Sequence, residues 1–61
     1  MRLTVIVKVQ KDKFVKYNVT NLKTFESFLD RNFPNWCYYN TFDKETRLQL
    51  KSYTKNNRFS G

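Results

Sequence analysis

Aromatic and cationic side chains recur at alternate positions along residues 36–53, the part of the sequence with the clearest chemical pattern. Aromatic rings can stack on the bases of single-stranded nucleic acid, while neighbouring lysine and arginine side chains neutralise phosphates. The candidate stacking platforms are Trp36, Tyr38, Phe42 and Tyr53. The candidate phosphate contacts are Arg47, Lys51, Lys8 and Lys16, joined by Lys55 and Arg58 near the C-terminus. We therefore expect a nucleic-acid interface, with single strands of DNA or RNA favoured.

The charge of the whole chain indicates the same class of partner. Twelve Lys and Arg residues outnumber five Asp and Glu residues, which gives a net charge of +7 and an isoelectric point near 9.9. The basic residues are spread from Arg2 to Arg58, so the positive field is not confined to one tail. Duplex DNA is a variant of this hypothesis. Residue types that read base edges are present at Arg47, Gln49, Asn40 and Lys51.

Several kinds of catalytic and cofactor site are excluded by residue types that the sequence lacks. There is no histidine, which removes Ser-His-Asp and Cys-His catalysis as well as His-containing zinc sites. The only glycine is Gly61, so glycine-rich phosphate-binding loops are absent. We therefore expect a binding protein that is no enzyme, with no cofactor and no metal site.

Three other chemically reactive side chains have simpler structural interpretations. Asp43 and Glu45 fall in a predicted hairpin turn, where aspartate commonly hydrogen-bonds its own backbone. Cys37, the only cysteine, is expected to point into the core beside Tyr39 and to act as a small hydrophobic residue. None of the three is therefore a candidate catalytic residue.

Length and composition bound the organisation of the chain. Its 61 residues allow one small core. We assign residues 1–54 to a single α+β domain and residues 55–61 to a basic, flexible tail. Residues 2–11 are too few and too alternating for a signal peptide or membrane span, and a lone cysteine fits a reducing compartment, so we expect a cytoplasmic protein without a membrane partner. Fifteen Lys and Asn residues suggest an AT-rich coding sequence and a short phage or plasmid accessory protein.

Two alternating stretches predict an N-terminal β-hairpin whose first strand is central in the sheet. In residues 3–9 the core positions are Leu3, Val5, Val7 and Val9, and the opposite positions are Thr4, Ile6 and Lys8. In residues 14–20 the core positions are Val15, Tyr17 and Val19, and the opposite positions are Phe14, Lys16 and Asn18. A three-residue loop at 11–13 would pair Val9 with Val15, Val7 with Tyr17 and Val5 with Val19.

A single helix is predicted after this hairpin. Apolar residues recur at helical spacing at Leu22, Phe25, Phe28, Leu29 and Phe33. Asn21 or Thr20 can cap the start of the helix, and Pro34 prevents its continuation. The other side carries Lys23, Glu26, Asp30 and Arg31, and we expect it to be an ordinary solvated face.

Residues 36–53 predict a second hairpin around a turn at 43–46. With Lys44 and Glu45 at the tip, the core side pairs Thr41 with Leu48, Tyr39 with Leu50 and Cys37 with Ser52. The opposite side pairs Phe42 with Arg47, Asn40 with Gln49, Tyr38 with Lys51 and Trp36 with Tyr53. A bulge in this hairpin would exchange the two sides and bury two cations, which makes it an unfavourable alternative.

The order of these elements is ββαββ, which predicts a four-stranded antiparallel sheet with one helix packed on one face. One helix cannot cover both faces of a sheet, so the aromatic and basic side chains are expected on the bare face. The same face supports a second hypothesis. An exposed apolar patch can be removed from water in a homodimer, or against another protein that a small accessory protein binds and inhibits.

Overall fold

The computed structural model describes residues 2–59 and has the predicted ββαββ order. Its elements are β1 (Leu3–Gln10), β2 (Lys13–Val19), α1 (Leu22–Asn32), β3 (Tyr38–Asp43) and β4 (Gln49–Thr54). The four strands form one antiparallel sheet in the order β2-β1-β3-β4. The predicted α+β class is therefore confirmed, and so is the inner position of the first strand.

The helix covers one face of the sheet, and the alternation of β1 decides which residues it covers. The side chains of β1 that point toward the helix are buried and are Leu3, Val5, Val7 and Val9. Those on the other face are only partly covered and are Thr4, Ile6 and Lys8. The period-two pattern of this strand thus separates the core from an uncovered face, as the sequence predicts.

The first hairpin keeps its predicted faces but changes its register by two residues. Val7 pairs with Val15, and the loop contains only Lys11 and Asp12 between the paired Gln10 and Lys13. The predicted pairing of Val9 with Val15 and the predicted three-residue loop are wrong. Asp12 takes the left-handed conformation (φ 62°) that the turn requires, and aspartate tolerates it better than lysine. An even shift leaves every side chain on its face.

Helix α1 begins and ends as the sequence predicts. The side chain of Asn21 accepts a hydrogen bond from the backbone N–H of Thr24 at 3.1 Å, which satisfies one of the unpaired donors of the first turn. Phe33 closes the last turn through its N–H to the Leu29 carbonyl at 2.7 Å, and Pro34 follows. Within residues 2–59, no helix has the length and apolar character needed to cross a membrane.

The second hairpin differs from its prediction in both its loop and its register. Phe42 pairs with Gln49, and the Asp43 N–H donates to the Leu48 carbonyl at 2.9 Å, so residues 44–47 form the loop that this hydrogen bond closes. Beyond this pair Thr41 pairs with Lys51, so Leu50 is an extra residue on β4 and forms a bulge. The pairings predicted for this hairpin are therefore wrong.

The bulge is held by a side chain in place of part of the backbone ladder. The Thr41 hydroxyl donates to the Lys51 carbonyl at 2.7 Å and accepts from the Lys51 N–H at 3.0 Å. Thr41 is buried, and these two hydrogen bonds satisfy its hydroxyl. A threonine at this position thus makes the irregular pairing favourable, because both backbone groups that the bulge would orphan find a partner.

The bulge exchanges the faces of the following residues of β4. Tyr53 becomes buried on the helix side, where its ring centroid lies 5.2 Å from that of Tyr39. Leu48 and Leu50, predicted as core, are 66% and 48% exposed. The cost expected for a buried cation does not arise, because Lys51 stays exposed with its ammonium 5.4 Å above the Tyr53 ring.

The polar side of α1 is not the solvated face that its sequence predicts. Glu26 is only 5% exposed, and its Oε2 accepts hydrogen bonds from the Tyr39 hydroxyl at 2.5 Å and from the Phe59 N–H at 2.8 Å. Arg58 Nε donates to its other oxygen at 3.0 Å. Burial, assisted by the Glu26 carboxylate, raises the pKa of Tyr39. Glu26 thus joins the helix, the sheet and the C-terminal segment.

Asp30 extends this network by one helical turn. It accepts hydrogen bonds from the Trp36 indole N–H at 3.1 Å and from the Arg58 guanidinium at 2.5 Å, and Lys55 approaches to 3.8 Å. The Lys55 ammonium and the Arg58 guanidinium also lie over the Trp36 ring, at 4.6 and 5.8 Å from its centroid. The cations at residues 55 and 58 are therefore engaged within the chain.

The C-terminal segment after β4 packs on the core side of the sheet as far as it is described. The Phe59 ring meets Tyr53 edge to face at a centroid distance of 5.8 Å. The predicted tail begins where β4 ends, and its residues 60 and 61 lie outside the described residues. The predicted flexibility of residues 55–61 stays a prediction.

Replacing Arg58 by alanine should lower the free energy of unfolding by about 1–3 kcal/mol, because Glu26 would lose a charged hydrogen-bond partner. Urea unfolding followed by circular dichroism measures this change. Arg31→Ala is the matched control, since it removes the same charge from the last turn of α1 and should cost less than about 1 kcal/mol. Equal losses in the two variants would show that the Arg58 contacts contribute nothing specific.

Acidification should weaken the contact between Asp30 and Arg58. The hydrogen bond from Arg58, and next that from Trp36, hold the pKa of Asp30 below its ordinary value of 3.8. Its contribution to stability is therefore complete above pH 3.8 and disappears as the pH falls below that value and the folded carboxylate is protonated. Unfolding free energies measured between about pH 6 and pH 2 should fall less steeply for Asp30→Asn than for the parent chain. Identical slopes would contradict this assignment.

Candidate nucleic-acid interface

The face of the sheet that points away from α1 carries twelve side chains in three rows, and we refer to it as the open face. Each row crosses the strands in the order β2, β1, β3 and β4. The rows are Phe14, Lys8, Tyr38 and Thr54; then Lys16, Ile6, Asn40 and Ser52; then Asn18, Thr4, Phe42 and Gln49. None of these residues is acidic.

Aromatic rings lie at both ends of the open face. In the first row Lys8 lies between Phe14 and Tyr38, and its ammonium is 5.9 Å from the centroid of the Tyr38 ring. Phe14 is 53% exposed, which is unusual for a phenylalanine in a folded chain. Phe42 is two rows away, about 13 Å along the strands. The face therefore has aromatic rings at two separated positions, with Lys8 beside the first and Lys16 in the row between them.

The side chains of the middle and outer strands form a polar network on the same face. The Gln49 amide donates to the Ser52 hydroxyl at 3.2 Å, and this hydroxyl donates to the Asn40 amide oxygen. The two amides therefore use part of their hydrogen-bonding capacity within the protein. This leaves the aromatic and cationic side chains as the groups most available to a ligand.

The open face is concave at the end that adjoins the loop of the second hairpin, and we call this concavity the Arg47 depression. Its volume is about 430 Å³, within the range of small-molecule sites. Its floor comes from β1, and its walls come from β2, β3 and the loop. The lining residues are Thr4, Ile6, Lys16, Asn18, Phe42, Asp43, Lys44 and Arg47.

The loop at residues 44–47 is ordered by Asp43, as the sequence predicts. The Asp43 Oδ1 accepts hydrogen bonds from the N–H groups of Glu45 at 2.8 Å and Thr46 at 3.2 Å. The Asp43 carbonyl accepts from the Arg47 N–H at 2.7 Å. This closure leaves Arg47 in the left-handed region with φ of 65°, a conformation that costs a non-glycine residue about 1–2 kcal/mol.

The ion pairs of the described residues all lie on the helix side of the sheet. All ion pairs among residues 2–59 join Arg58 or Lys55 to Glu26 or Asp30, on the helix side of the sheet. The cations on the open face and at its rim are Lys8, Lys16, Lys44 and Arg47. None of them has a carboxylate of residues 2–59 within 4.0 Å. Four cations without an ion pair therefore lie on the open face or at its rim.

Half of the residues predicted for the interface come together on the open face or its rim. They are Tyr38, Phe42, Lys8, Lys16 and Arg47. The placement of Trp36 and Tyr53 on this face is wrong. Tyr53 is turned inward by the bulge at Leu50, and Trp36 precedes β3 and is 1% exposed beneath Asp30 and Tyr39.

The other three predicted contacts also lie on the helix side. Lys51 pairs with the buried Thr41 and lies over the Tyr53 ring. Lys55 and Arg58 contact Asp30 and the Trp36 ring. These cations therefore do not extend the open face, and their predicted contacts with the same ligand as Lys8 and Lys16 have no geometric support.

Two residues that the sequence-based list of contacts omits belong to this surface. Phe14 follows from the alternation of β2, which places it with Lys16 and Asn18, and its exposure leaves the ring accessible on this face. The sequence predicts Lys44 only as a turn residue, yet it lines the Arg47 depression. The length of the loop, which no local pattern indicates, accounts for the second omission.

The remaining candidate groups for catalysis or metal binding are dispersed. Cys37 is exposed, so its predicted burial beside Tyr39 is wrong; it precedes β3, where strand alternation does not apply. Among residues 2–59, no three Asp, Glu or Cys side chains come close enough together to hold a metal ion.

Arg47→Gly should raise the free energy of unfolding by about 0.5–1 kcal/mol. Glycine avoids the left-handed penalty of about 1–2 kcal/mol, and part of this gain is offset by the greater freedom of glycine in the unfolded chain. Arg47→Ala is the matched variant, because it removes the guanidinium but keeps the Cβ and should give no gain. Thermal unfolding of the two variants compares them. A glycine variant no more stable than the alanine variant would show that the backbone at residue 47 is unstrained.

The chain has no match among protein-family models, curated proteins or solved structures. Its function must therefore be inferred from the open face itself, from the exposure of its rings, the spacing of its rows and the position of its uncompensated cations.

Proposed function

We propose that this chain is a small, non-enzymatic module that binds single-stranded nucleic acid on the open face. The observation that carries the proposal is the row in which Lys8 lies between the rings of Phe14 and Tyr38. Exposed rings give bases a surface for stacking without sequence preference, and adjacent cations neutralise the phosphates. Phe42 provides a second stacking position at the other end of the face.

The distribution of charge supports a polyanionic ligand on this face. Glu26 and Asp30 are neutralised by Arg58 and Lys55 on the helix side, so they do not cancel the field of the open face. Phosphates approaching the protein are therefore attracted to the surface that carries Lys8, Lys16 and Arg47. Binding governed by such a field weakens as salt rises, because condensed counterions are released on association.

Single strands fit the open face better than duplex DNA does. A four-stranded sheet spans about 14 Å between its outer strands, without counting side chains, whereas the major groove is about 12 Å wide. The amides of Asn40 and Gln49, which could read base edges, are partly engaged with Ser52. Exposed rings favour unpaired bases, which are free to stack.

A protein partner is the second candidate, and one feature favours it. Leu48 and Leu50 are exposed at the β4 edge of the sheet, where the backbone of an outer strand can pair with another strand. A homodimer through the open face is less favourable than the sequence suggests. Two copies would bring Lys8 and Lys16 against each other, and the open face offers no carboxylate to compensate them.

Removing the rings of the first row should weaken binding of a labelled single-stranded oligonucleotide. Phe14→Ala and Tyr38→Ala should each reduce affinity about 5- to 150-fold, as expected for the loss of one base stack. Fluorescence anisotropy at fixed salt measures this change for DNA and RNA. Phe28→Ala is the matched control, because this ring is partly exposed on the helix side and should not affect binding.

Salt dependence provides a second readout of the same experiment. Lys8→Ala and Lys16→Ala should each reduce the slope of log affinity against log salt by about 0.7, whereas Lys23→Ala on α1 should not. No measurable binding of DNA or RNA would overturn the proposal. A dimeric mass in light scattering, abolished by Leu48→Asp, would then favour the β4 edge as a protein interface.

A further inference from the structure

We propose that the Arg47 depression is a site for a terminal nucleotide phosphate, a phosphomonoester, with the attached base against Phe42. This inference rests on the proposed binding of single strands to the open face and adds that one end of the strand is recognised. It assigns the concave end of the face a role different from that of the row containing Phe14 and Tyr38.

Three cations from different parts of the chain line this depression. Lys16 comes from β2, and Lys44 and Arg47 come from the loop after β3. The ion pairs within residues 2–59 involve none of them. Asp43 also lines the depression and lowers its net positive charge, and its Oδ1 accepts hydrogen bonds from two backbone N–H groups of the loop. The three cations still outnumber this one carboxylate, so an anion bound here would relieve their mutual repulsion.

The number of cations favours a phosphomonoester over an internal phosphate. A phosphodiester carries one negative charge, whereas a phosphomonoester carries about −1.5 to −2 at neutral pH and presents three acceptor oxygens. Arginine can contact two of these oxygens at once, and each lysine can contact one. A terminal phosphate therefore matches the cations of the depression more closely than a phosphate in the middle of a strand.

The rest of the lining suits a nucleoside. Phe42 provides a ring for stacking, and Ile6 provides an apolar floor beside it. Asn18 and Thr4 add an amide and a hydroxyl that can donate to or accept from a base or sugar. The depression is continuous with the open face, because Thr4 and Ile6 belong to the same strand as Lys8. A nucleic-acid strand whose terminal phosphate lies in the depression can run from there along the open face toward Tyr38.

The conformation of Arg47 is consistent with a functional side chain. Its left-handed backbone would be less costly for glycine, so an arginine at this position is unfavourable for folding alone. Strained conformations of this kind are concentrated at ligand sites, where the side chain justifies the cost. The Asp43 carbonyl holds the Arg47 N–H, which directs this residue from the loop toward the depression.

The test compares oligonucleotides of one sequence that carry a phosphate or a hydroxyl at each end, with an internal fluorescent label. We expect a phosphate at one of the two ends to increase affinity about tenfold or more. Arg47→Gly and Lys44→Ala should reduce this increment to less than about threefold, whereas Lys23→Ala should leave it unchanged. Because the second phosphate pKa is about 6, the increment should grow as the pH rises through that value.

Amide chemical shifts of residues 42–47 separate the possible outcomes. Titration with a mononucleotide should move them at lower concentration than inorganic phosphate does, since the base contributes its contact with Phe42. Equal affinity for phosphate and hydroxyl ends would overturn the inference while leaving strand binding in place. A preference reduced equally by Lys23→Ala would also overturn it, because it would reflect net charge. If no oligonucleotide binds but the mononucleotide moves these amides, strand binding fails and the phosphate site stands alone; no response to either overturns both.

Discussion

The bulge at Leu50 determines which residues of the second hairpin face the helix, and much of the structure depends on it. The Thr41 hydroxyl makes this irregularity favourable by bonding both backbone groups of Lys51. Tyr53 then lies against Tyr39 in the core, where the Phe59 ring can pack on it. In regular pairing Tyr53 would lie on the open face, and the C-terminal segment would lose this contact on the core side.

The C-terminal segment in turn governs the electrostatics of the molecule. With Phe59 against Tyr53, Arg58 reaches Glu26 and Asp30 on α1. Two of the five acidic residues are thereby neutralised on the side of the helix, together with two of the twelve cations. The remaining excess of positive charge includes the cations of the open face. A packing choice in β4 thus leads, through the C-terminal segment, to the pairing of two carboxylates on the side of the sheet opposite the open face.

The sequence predicts correctly the features that depend on local patterns. Asn21 and Pro34 bound α1 because capping and the missing N–H of proline act within one turn. The faces of β1 and β2 follow from alternation alone, even though their register is shifted by two residues. The second hairpin could not be predicted in this way, because its register depends on a side-chain hydrogen bond from Thr41 and on contacts between residues distant in the sequence.

The exchange of aromatic residues changes how the candidate interface would work. Trp36 and Tyr53, two of the four rings predicted as stacking platforms, belong to the core, and Phe14 remains as a further ring at the far edge of the sheet. With fewer rings, stacking contributes less to affinity than the sequence implies, and electrostatic attraction contributes more. Attraction of this kind does not by itself distinguish one stretch of nucleic acid from another. Selectivity on this face would therefore have to come from the one place where cations converge on a concave surface, the depression beside Arg47.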